Sequence, residues 1–179
     1  VVEKYYDLMH IEFDAVAKAL DNHDVVLDYY DYPLADGDQE YVAFVYAKGI
    51  EAPQFVKICR ESDLQKVYRE VAANKYSDGT PFHFTEAYHA KWKYSARLFN
   101  LLLGGVLELL ELSRDSRIRL VPSGSLHKIP VESLAVEEGK ADIVSDCYAS
   151  FTRISHVRTL LTPDDFDLKS AGLFGGLDY

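Results

Sequence analysis

Cysteine is nearly absent: the 179 residues hold only Cys59 and Cys147. Two thiols cannot build a disulfide framework or a cysteine-rich metal site. They read as reduced thiols, and the expected compartment is cytoplasmic. Basic charge is also short. Nineteen Lys and Arg face 29 Asp and Glu, a formal charge of −10, and no basic run occurs. Nucleic acid and anionic membrane are poor partners for such a chain, because phosphate contacts need clustered Lys and Arg. No long apolar run exists either. The stretch 98–112 is interrupted by Asn100, Gly104, Gly105, Glu108 and Glu111, too polar to span a bilayer. No signal peptide is visible, and the chain begins with Val, which suggests an excised or processed piece. Ten Gly and six Pro without a period exclude collagen-like and low-complexity readings.

What is present suits one domain of ordinary size. Hydrophobic residues make up 48% of the chain and aromatics 13%, enough for a core. Residues 1–50 carry 11 acids and 3 bases, a net of 3 − 11 = −8, so most of the net charge of −10 sits in the first third. Phe13, Val16, Ala17 and Leu20 follow helical spacing within residues 11–20. Residues 25–30 and 41–47 are β-branched and aromatic around a turn at 33–38, which predicts a hairpin. Residues 54–59 form a third strand. A helix then opens at Glu61-Ser62-Asp63, where Ser62 and Gln65 fit a capping box. Its apolar face is Leu64, Val67, Tyr68 and Val71. After a loop at 74–81, a long helix is expected over 85–112. Gly104-Gly105 should weaken or bend it, at roughly 1 kcal/mol per glycine relative to alanine. Strands are expected at 117–121, 146–154 and 169–175, with a turn at 122–124 and a short helix at 156–161. This alternation predicts an α/β layered sheet with flanking helices.

The residues themselves assign no chemistry. A cysteine nucleophile needs a thiolate and a nearby base. His89 and Cys147 are separated suitably for a caspase-like pair, but His89 lies in a helical run and Cys147 within a strand. Cys59 ends a strand before a helix, yet no histidine precedes it at a strand end, since His23 is in a polar turn. No H-x-x-x-H, H-E-x-x-H or C-x-x-C spacing marks a metal site. The glycines of 172–176 match no phosphate loop. Ser123-Gly124-Ser125 reads as a turn after a strand, not a nucleophile elbow. Tyr29, Tyr30, Tyr32, Tyr41, Phe44 and Tyr46 read as a strand surface half packed on the core, with an exposed subset able to contact a neighbouring domain.

One stretch adds more. Residues 119–134 (RLVPSGSLHKIPVESL) resemble the strand–turn signature of CHAT domains, the caspase-like cysteine peptidases found beside TPR repeats, in which a VPDGxLHxLPFExL run is typical. The match covers Val121, Pro122, Gly124, Leu126, His127, Pro130, Glu132 and Leu134. Ser123 stands where the family has Asp, and Val131 where it has an aromatic residue. Residues 13–20 with 25–30 are similar to the family's opening helix and strand, and residues 98–110 to the helix before its signature. Residues 148–161 resemble its YAVSYxPSLSxLL run. Residues 173–179 resemble the strand that opens the caspase-like core.

The resemblance implies a caspase-like fold. Residues 1–10 would be a linker from an upstream, TPR-type or regulatory region. Residues 11–168 would form the non-catalytic, pseudo-caspase half, and residues 169–179 the first strand of the catalytic half. The catalytic His and Cys of the family would follow residue 179, so the resemblance places no catalytic, cofactor-binding or metal-binding residue in this chain, and His127 is not the catalytic histidine. The implied activity is peptide-bond hydrolysis by a Cys thiolate on a following chain or segment, with a protein as substrate and proteolytic processing at the junction. The alternatives are an inactive scaffold or interaction module, and a small-ligand sensor built on the aromatic hairpin.

Overall fold

The structure is a computed structural model and describes residues 13–161 apart from Pro53. Helix α1 (Phe13–Ala19) leads through a tight turn into β1 (Asp24–Pro33), which pairs antiparallel with β2 (Gln39–Ala47). The hairpin closes with the Leu34 N–H donating to the Asp38 carbonyl at 2.8 Å. β3 (Gln54–Arg60) adds antiparallel to β2. The chain leaves the sheet through α2 (Glu61–Ala72) and α3 (Lys93–Leu109) and returns as β4 (Arg117–Val121), parallel to β1 on its other side. A short helix, α4 (Val144–Cys147), precedes β5 (Ser150–Arg153), which is parallel to β4. The sheet is mixed and five-stranded, in the order β3-β2-β1-β4-β5. The layered α/β class expected from the sequence therefore forms.

Side chains alternate between the faces of a strand, and the alternation sorts the aromatics. Val25, Leu27 and Tyr29 share one face with Tyr41, Ala43, Val45, Ile118 and Leu120, and all are buried. Onto this face α2 lays Leu64, Val67 and Val71, and α3 lays Leu98, Leu102 and Val106, each set at helical spacing. The Tyr29 hydroxyl donates to the Leu102 carbonyl at 2.7 Å, which gives a buried polar atom its partner.

The opposite face is covered in part. Leu20, Val26, Val121 and Val157 form a small cluster there, joining α1 and the 3-10 turn Val157–Leu160 to β1 and β4. The Phe13 ring stacks on Tyr46 at 5.5 Å. Farther along, Tyr30, Phe44 and Phe55 meet edge to face at 5.5 and 5.6 Å. Tyr30 is 46% exposed and Phe55 54%.

Several expectations need correction. The helix expected over 85–112 is broken: Phe84–Ala87 form a 3-10 turn, and α3 begins only at Lys93 with Trp92 as its cap. Glu86 accepts from the Trp92 indole N–H at 2.5 Å, and Phe82 packs on the Trp92 ring at 4.7 Å, so aromatic packing sets the break. The glycine pair does not interrupt α3. Instead Gly105 lets the helix approach β3, since a Cβ there would stand 3.0 Å from Val56 Cγ1.

The capping box is displaced by two residues. Arg60 is the cap of α2, and its N–H donates to Asp63 Oδ2 at 3.0 Å. Ser62 instead turns to the hairpin, where its hydroxyl donates to Asp38 at 2.6 Å. The strand expected over 146–154 shrinks to Ser150–Arg153, with Cys147 in α4. The linker at 1–10 and the strand at 169–175 lie outside the described residues.

Among the described residues no helix is long and apolar enough to cross a membrane.

Candidate functional site: the turn after β4

The signature stretch sits where β4 ends beside β1, its parallel neighbour. Val121 closes β4, and Gly124–Lys128 coil as a 3-10 turn. Gly124 has φ +52°, a left-handed value that costs an L-residue roughly 1–2 kcal/mol. Space is as limiting as the dihedral: a Cβ at Gly124 would lie 3.0 Å from the Tyr41 hydroxyl and 3.1 Å from Asp31 Oδ1. The glycine of the motif thus answers two independent demands.

Tyr41 is fully buried yet fully used. Its hydroxyl donates to Glu61 Oε2 at 2.7 Å and accepts from the Ser125 N–H at 3.2 Å. Ser123 donates its hydroxyl proton to Asp31. A serine at 123 therefore binds a carboxylate that would repel an aspartate at that position. Four segments converge here: the end of β1, the start of β2, the first turn of α2 and the start of the signature turn.

The second half of the signature is held from β5. Arg153 donates through Nη2 to Glu132 Oε2 at 2.8 Å, through Nη1 to the His127 carbonyl at 3.3 Å, and also to the Ile129 carbonyl. Leu126, Ile129, Val131 and Leu134 are buried in the main core. Ala135 N–H donates to Ser95 Oγ at 2.8 Å, fastening the end of the stretch to α3. His127 is exposed, and its carbonyl accepts from Arg153. The signature thus folds as an architectural unit that carries the chain from β4 to β5.

Both thiols lie in surroundings that favour their neutral form. Burial, then Asp63, Glu61 and Asp38, push the Cys59 thiol up to about 12. Burial and Asp142 raise Cys147, with Arg114 opposing. Reactive cysteines need the reverse, an electropositive site that favours thiolate. His83, His89 and His156 each accept a backbone N–H two residues on, from Thr85, Lys91 and Arg158. His83 and His156 cap the 3-10 turns that follow them, His89 closes a local turn, and the structure does not join His89 to Cys147 in any hydrogen bond. Among the described residues no group of three or more His, Cys, Asp and Glu side chains could hold a metal ion.

The aromatic set divides. Tyr29 and Tyr41 belong to the core, while Tyr30, Tyr32, Phe44 and Tyr46 lie on the opposite face, where Phe55 joins them. Sequence reasoning missed the roles of Arg153, Tyr41 and Glu61. Their partners are 20 to 84 positions away, so no local spacing could reveal them.

No family model, curated protein or solved structure matches the chain.

Proposed function

We propose that this chain is the non-catalytic, pseudo-caspase half of a CHAT-type cysteine endopeptidase, scaffolding a His/Cys catalytic half carried on a following chain or segment. The observation that supports it most is the fit between motif and structure. Gly124, Leu126, Glu132 and Leu134, matched to the family's signature, each do a structural job: a left-handed close approach, two fully buried anchors and an ion pair to Arg153. A mixed sheet with helices on its faces suits one half of a caspase-like fold. In this reading the chemistry belongs to the partner half. A thiolate attacks the peptide carbonyl, a histidine carries the proton, and backbone amides hold the oxyanion. An upstream TPR-type region would deliver the activating signal.

A second reading, an inactive interaction module, is favoured by the exposed aromatics Tyr30 and Phe55, since aromatic side chains are common interface anchors.

Denaturing intact-mass spectrometry on the protein expressed from its natural reading frame separates the two. The peptidase reading expects a second, copurifying polypeptide or a longer chain that contains a His-Gly and a later Cys segment, and a peptidase activity lost when that Cys is replaced. Residues 1–179 alone should cleave nothing. Activity in this chain alone would overturn the scaffold role, and a partner lacking both segments would leave the interaction module.

A further inference from the structure

We draw no further inference here: the strongest candidate, the aromatic patch that Tyr30, Phe44 and Phe55 form on the sheet face opposite the main core, carries nothing because among the described residues nothing shows what covers it.

Discussion

Gly124 and the Tyr41 hydroxyl are so close that a Cβ on the glycine would stand 3.0 Å from the tyrosine oxygen. That oxygen is already engaged by Glu61 and by the Ser125 N–H, so it cannot retreat without losing two hydrogen bonds. Gly124→Ala should therefore destabilise the fold by about 2–4 kcal/mol, combining the left-handed penalty with steric displacement. Gly37 also has a positive φ, +86°, but a Cβ there would meet nothing within 4 Å, and Gly37→Ala should cost only about 1 kcal/mol. Urea denaturation of both variants gives the comparison; equal losses would mean the Tyr41 contact is unimportant.

Arg153 offers a second test. Its planar fork reaches a carboxylate and two carbonyls at once, a geometry that an ammonium cannot reproduce. Arg153→Lys should lose about 1–2 kcal/mol. Glu132→Gln should lose less, because the pair is only partly buried and half-exposed ion pairs are worth at most about 1 kcal/mol. A double-mutant cycle with both changes should show positive coupling. Additive losses would dissociate the two residues.

The adjacent glycines of α3 should respond with opposite sign. Gly104 has open space around it, so Gly104→Ala should stabilise the helix by up to about 1 kcal/mol. At Gly105 a Cβ would stand 3.0 Å from Val56 Cγ1 and 3.3 Å from the Lys57 carbonyl. Gly105→Ala should destabilise by about 1–3 kcal/mol, as overpacking does. Thermal unfolding midpoints of the two variants measure this, and a gain at both positions would refute the close approach of α3 to β3.

Two buried aspartates of β1 should leave opposite marks on the pH profile. Burial raises the Asp28 carboxyl, against the opposing effects of the Tyr30 hydroxyl and His156. The folded state then holds its proton more tightly than the unfolded chain does. Its contribution is full below the unfolded pKa and is lost as pH rises through the folded one. Burial also opposes the Asp24 charge, but the Asp21 N–H with Arg119 and Arg117 outweighs it and lowers the carboxyl. Its contribution is present above the unfolded pKa and is lost as pH falls through the folded one. Stability measured from pH 3 to 7 should show Asp28→Asn gaining on the wild type toward neutrality, and Asp24→Asn losing most there. The same pH slope in all three proteins would contradict this assignment.

Much of the fold was legible in the sequence. The β-branched and aromatic runs at 25–30 and 41–47 around the turn at 33–38 marked the hairpin, and Leu64, Val67 and Val71 marked the buried side of α2, because a single chain segment carries the whole pattern. Elements decided by side-chain partners were not legible. The break before α3 depends on Trp92 meeting Phe82 and Glu86. The true cap of α2 depends on the hairpin drawing Ser62 away through Asp38, a contact between residues 24 positions apart.

The same division holds for the candidate site. The sequence alone determined the α/β class, the acidic character and the motif at residues 119–134, since composition, periodicity and a contiguous run are local properties. Only the tertiary structure decided what that motif does. It brought Tyr41 from β2, Glu61 from α2 and Arg153 from β5 onto one turn. It also left both thiols with raised pKa values. Those outcomes depend on burial and on charges remote in sequence, which exist only once the sheet has closed.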